Sequence, residues 1–121
     1  MTYEYYEPPM GYDEIVSIQG EIVKDWIIGD WQGDYVYLLK NNDWYSLVVV
    51  GYGSCTGCDA LQGCENDEEF ELLKQSILND IRWGSKQDIL DQISDEEINR
   101  WYFHESEWKD IAKEIREILN A

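Results

Sequence analysis

Two hydrophobic periodicities alternate along the chain. From Tyr12 the apolar positions Ile15, Ile18, Ile22, Val23 and Trp26 follow helical spacing and predict a first helix of about three turns, with Gly20 as a weak point inside it. Gly29, Asp30, Gln32, Gly33 and Asp34 then supply turn chemistry. Tyr35 to Leu39 and Trp44 to Tyr52 read as strands joined tightly through Asn41, Asn42 and Asp43, the second strand carrying the β-branched Val48, Val49 and Val50. A lone hairpin is marginal in water, so helices must cover it or a third strand must join it.

Helical signals resume after a loop at Gly51 to Gly63. Asn66 with Glu69 resembles a capping box, and Phe70, Leu73, Ile77 and Ile81 form one stripe with Gly84 as the stop. Ser85 opens a shorter helix through Ile89, Leu90 and Ile93. Ser94 with Glu97 repeats the capping pattern before Ile98 and Trp101, and a last helix carries Ile111, Ile115, Ile118 and Leu119. The fold class expected is α+β: a β-hairpin or small antiparallel sheet packed against several short helices. Residues 1–11, with Tyr3, Tyr5, Tyr6 and the pair Pro8 and Pro9, read as an extended acidic arm that either docks on a partner or folds back. Residues 12–121 then make one domain, which 121 residues suit.

Charge changes this picture most. The chain holds 9 basic and 26 acidic side chains, a net charge of −17, while 44% of it is apolar and 14% aromatic. The apolar share is too high for a disordered acidic tail. The charge disfavours direct nucleic-acid binding, which needs Lys and Arg to displace counterions from phosphates. It fits a basic protein partner instead, with a merely soluble acidic surface as the alternative. Residues 35–64 are close to neutral, with 2 acidic and 1 basic side chain, so the flanking segments carry the field. In the last helix Lys109, Lys113 and Arg116 alternate with carboxylates, as on an ordinary solvated face. The runs Glu65, Asp67, Glu68, Glu69, Glu71 and Asp91, Asp95, Glu96, Glu97 have few basic neighbours and are the candidate partner-binding residues. Such rows on adjoining helices imitate the charge density of DNA, one charge per ~1.7 Å. No run reaches the ~18 apolar residues of a membrane span, and the first ten residues lack the basic and apolar regions of a secretory signal, which together suggest a cytosolic protein.

The loop Gly51 to Gly63, with Cys64 after it, carries the unusual chemistry. Cys55 and Cys58 make a C-x2-C knuckle, and Cys64 follows six residues later. Two thiolates at this spacing grip one tetrahedral ion, and an odd cysteine count without a signal peptide argues against a disulfide framework. A structural zinc ion held by Cys55, Cys58 and Cys64 is expected, with His104, the sole histidine, as fourth ligand and Asp59 or an outside group as runner-up. The alternative is that these cysteines are small buried residues closing a loop, or a redox pair. Catalytic patterns are poor. His104 and Glu105 begin a zincin helix, but Trp108 stands where the second histidine belongs, and no carboxylate pair is singled out.

The block Tyr45 to Gln62, YSLVVVGYGSCTGCDALQ, followed by an acidic helix and IRW, resembles small acidic proteins of bacteriophage origin. Together with the charge and the expected zinc, the chain looks like phage anti-CRISPR inhibitors of type II systems. The resemblance implies a non-enzymatic protein acting in the cytoplasm of the bacterial host, which binds an RNA-guided Cas nuclease and obstructs guide or target-DNA loading at its positively charged channel. An immunity protein neutralising a cationic toxin nuclease uses the same acidic surface, and a small zinc-dependent enzyme or redox protein is the reading from another class.

Overall fold

A computed structural model describes residues 6–29, 33–52, 59–101 and 104–120, without the side chain of Trp101. Its elements are α1 (Tyr12–Val16), β1 (Glu21–Gly29), β2 (Gly33–Asn41), β3 (Trp44–Tyr52), α2 (Asp67–Asp80), α3 (Lys86–Gln92), α4 (Asp95–Trp101) and α5 (Glu105–Leu119). The three strands form one antiparallel sheet in the order β1-β2-β3, so the class is α+β.

The helix expected from Tyr12 to Trp26 is corrected: only its first five residues are helical, and the remainder becomes β1. Gly20 explains the break. A Cβ there would lie 2.9 Å from the Lys40 carbonyl oxygen and 2.6 Å from the Trp83 ring, so the chain passes too closely for another residue. The helical spacing arose because β1 contains a bulge. Ile22 pairs with Leu39 and Lys24 with Leu38, which leaves Val23 as the extra residue. Ile22 therefore points to one face of the sheet, while Lys24, Trp26 and Ile28 point to the other. Ile18, which the helix would have buried, is 52% exposed.

Strand alternation divides the core in two. Val36 and Leu38 of β2, with Ile28 of β1 and Tyr45 of β3, pack against Ile89 and Ile93, Ile98 of α4, and Trp108, Ile111 and Ile115 of α5. Tyr37 and Leu39, with Val48, pack on the opposite face against Ile15 and Val16 of α1 and Phe70, Ile77 and Leu78 of α2. The sheet is thus a middle layer with helices on both sides, which is why Val36 to Leu39 form one unbroken buried run.

The ends of the elements follow local rules. Asn66 accepts from the Glu69 amide at 2.9 Å, but the Glu69 carboxylate reaches the Glu65 amide at 2.8 Å, one residue beyond the box expected. Ser85 and Asp88 make a complete capping box at α3, and the Ser94 hydroxyl accepts from the Glu97 amide at 3.3 Å. Gly84 does not stop α2, which ends at Asp80; it bridges to Tyr45 through two 2.8 Å backbone hydrogen bonds and extends the sheet edge. Gly33 faces Gly29 across the β1–β2 connection, where a Cβ would lie 1.7 Å from the Ile28 carbonyl oxygen. The turn residues Asp30 and Gln32 fall outside the described residues. So do Tyr3 and Tyr5, whereas Tyr6 folds back, its hydroxyl donating to Asp67 at 2.7 Å.

Candidate functional site

The cysteine loop leaves the sheet at Tyr52 and rejoins the described chain at Asp59, and both ends are anchored. The Tyr52 hydroxyl donates to the carbonyl oxygens of Ile28 and Gly29 at 3.2 Å each, and its ring lies 4.7 Å from that of Tyr35. Asp59 is 6% exposed, and its Oδ1 accepts from the Tyr12 hydroxyl at 2.7 Å and from the Leu61 and Gln62 amides at 3.0 and 3.3 Å. One buried oxygen thus closes a tight turn and ties it to α1.

Cys55 and Cys58 lie outside the described residues. Cys64 is a buried free thiol packed in the α2 layer, and its Sγ donates to the Ala60 carbonyl oxygen at 3.4 Å. Burial, with Glu69 adding to it, pushes this thiol above its ordinary range, so by itself it behaves as a small apolar residue with a weak donor. His104 is exposed at the start of α5, in the layer on the opposite side of the sheet, with a left-handed φ of 59°. Its Nδ1 stands 4.0 Å from Glu107, whose other oxygen accepts from the Gly29 amide at 3.2 Å. Among the described residues, no three His, Cys, Asp or Glu side chains converge on a metal-sized space. The two described members of the expected ligand set are therefore not brought together, and Asp59 spends one oxygen on the turn.

The acidic runs are exposed apart from the half-buried Glu97, but they do not adjoin. Glu65, Asp67, Glu68, Glu69 and Glu71 gather at the amino-terminal turn of α2, on one side of the sheet. Asp91, Asp95, Glu96 and Glu97 gather at the α3–α4 junction, on the other side. Carboxylates at amino-terminal turns are favoured by the helix dipole. Within these runs only Glu71, 3.0 Å from Lys74, and Glu96, 3.8 Å from Arg100, have a cation within 4.0 Å among the described residues.

A further constellation has no signature in the one-dimensional pattern. Tyr12 and Tyr35 rings lie 5.7 Å apart, and Tyr37 donates to Asp13 at 2.6 Å. These three tyrosines, with Asp13, Glu14 and Asp59, line an open cavity of about 480 Å³. Burial and the carboxylate hydrogen bonds push the phenols of Tyr12 and Tyr37 far above their ordinary range, so both stay protonated. Strand alternation puts Tyr35 and Tyr37 on one face, with Tyr35 paired to Val50, but no spacing in the sequence brings Tyr12 or Asp59 beside them.

No described helix is long and apolar enough to cross a membrane. Comparison with protein-family models, with curated proteins and with solved structures gives no match.

Proposed function

We propose that the protein is a non-enzymatic, stoichiometric inhibitor that binds a basic nucleic-acid-handling protein through helix-borne carboxylates. The partner class we propose is a type II RNA-guided Cas nuclease, whose guide or target-DNA loading the bound inhibitor obstructs. The observation that carries the reading is a net charge of −17 together with exposed carboxylates gathered at the starts of α2 and α4, where Glu65, Asp67, Glu68 and Asp95 have no cation within 4.0 Å among the described residues. The choice of a Cas nuclease rests on the resemblance of the Tyr45–Gln62 block. A structural zinc ion is a separate proposal, resting on the spacing of Cys55, Cys58 and Cys64.

The test is a DNA-cleavage assay over several type II nucleases, with the protein added before or after target DNA. Inhibition at about one protein per nuclease, weaker once DNA occupies the basic channel, is expected. Association should slow as salt shortens the Debye length from ~10 Å at 0.1 M to ~3 Å at 1 M. Because the two acidic runs stand on opposite sides of the sheet, reversing Asp67, Glu68 and Glu71 to Lys, or Asp95 and Glu96 to Lys, should have unequal effects. No inhibition at tenfold excess moves the assignment to an immunity protein, and turnover at substoichiometric protein moves it to an enzyme.

A further inference from the structure

We propose that the cavity bounded by Tyr12, Tyr35, Tyr37, Asp13, Glu14 and Asp59 is a receptor for a guanidinium group, the side chain of an arginine protruding from a basic protein partner. The inference deepens the inhibitor reading and rests on it for the partner, but not for the cavity's chemistry.

Charge selects a cation. Three carboxylates border the cavity, and among the described residues none of them has a cation within 4.0 Å. Asp59 supplies an independent observation: it is more than nine-tenths buried, all its hydrogen bonds converge on Oδ1, and its Oδ2 has no partner among the described residues. That oxygen is not sealed from solvent, Ser46 Oγ being the one sealed and unpartnered side-chain oxygen among the described residues, so it stands open to a donor entering the cavity. Two of the cavity's three tyrosine hydroxyls are spent, Tyr12 donating to Asp59 and Tyr37 to Asp13, and the three carboxylates repel an anion.

The aromatic lining selects the kind of cation, with the half-buried Tyr35 as its accessible ring, since Tyr12 and Tyr37 are almost wholly buried. A guanidinium stacks on tyrosine faces and presents planar paired donors to carboxylates, whereas an ammonium is a compact, strongly hydrated charge. A cavity of about 480 Å³ also has room for the apolar stem of an arginine.

The test is an NMR titration of the ¹⁵N-labelled full chain with N-acetyl-arginine methylamide, beside its neutral isostere N-acetyl-citrulline methylamide. Saturable shifts are expected at the amides of Asp13, Glu14, Leu61 and Gln62 with the arginine compound alone. The double variant Asp13→Asn, Glu14→Gln keeps an acceptor for Tyr37 and the side-chain length of the α1 capping box. It should bind the arginine compound at least about tenfold more weakly, a charge-assisted contact being worth a factor of that order. Equal shifts with citrulline, shifts spread over the acidic helix starts instead of the cavity, or unchanged affinity in the folded double variant would each overturn the proposal. Arginine binding at the cavity without nuclease inhibition would instead refute the inhibitor reading and leave the receptor standing.

Discussion

Replacing Ser46 by alanine should make the protein more stable. Ser46 lies on β3 opposite Leu39, both fully buried, on the face covered by α1 and α2, and its hydroxyl has no hydrogen-bond partner among the described residues. Its neighbours on that face are apolar, so folding strips the hydroxyl of solvent and returns nothing, at a cost of about 1–3 kcal/mol. Alanine removes this cost without opening a hole of consequence, since the change is a single oxygen atom. Against it stands the lower strand preference of alanine, a few tenths of a kcal/mol. The net expectation is a gain of about 1 kcal/mol. With an unfolding entropy of ~2.1 cal/mol/K per residue, a chain of 121 residues gains about 4 °C in Tm for each kcal/mol. The assay is thermal and urea unfolding of both proteins, with an unchanged urea slope and a higher midpoint. A lower Tm for Ser46→Ala, with the slope unchanged, would show that the hydroxyl is satisfied in the folded state and refute the reasoning.

Three further outcomes are expected. The Glu114 carboxyl is held below its ordinary range by the Lys24 ammonium, 2.8 Å away, and the Trp26 indole N–H, so it contributes stability above the ordinary glutamate pKa of ~4.3 that is lost as pH falls through its depressed folded value. A Tm–pH series should therefore show wild type converging on Glu114→Gln at acid pH, and a gap that is constant with pH would contradict this. Gly33→Ala should cost on the order of 3 kcal/mol or prevent folding, because its Cβ would overlap the Ile28 carbonyl oxygen, and unfolding titrations that match wild type would refute the close approach. Protein purified without chelator should carry one zinc ion per chain, with chelation lowering Tm; metal analysis that finds no transition metal would end the zinc proposal.

The parts of the fold legible in the sequence are those governed by one period at a time. The pair β2 and β3 was readable because Val36 to Leu39 and Leu47 to Val50 are apolar runs on either side of an Asn-Asp turn, and the helix starts were readable from Asn66, Ser85 and Ser94. β1 was not, because its bulge at Val23 shifts the alternation by one residue, which makes Ile22 and Trp26 look like successive turns of a helix. The acidic runs were legible as residues but not as surfaces, since their placement on opposite sides depends on which sheet face each helix covers. The tyrosine cavity was invisible for the same reason: Tyr12, Tyr35 and Asp59 meet only through strand pairing and the Asp59 turn.

A sheet enclosed on both sides has a bearing on how a saturation mutagenesis map of this protein divides. Variants at Val36, Leu38 or Leu39 would lower cellular abundance whatever the protein binds, because each of these side chains is wholly sequestered. Selection for binding alone, corrected for abundance, would fall silent over these positions and leave its signal on helix exteriors, exposed strand edges and the rim of the tyrosine cavity. A binding score and an abundance score measured in parallel would thus separate scaffold from contact, residue by residue, whichever basic protein serves as the bait.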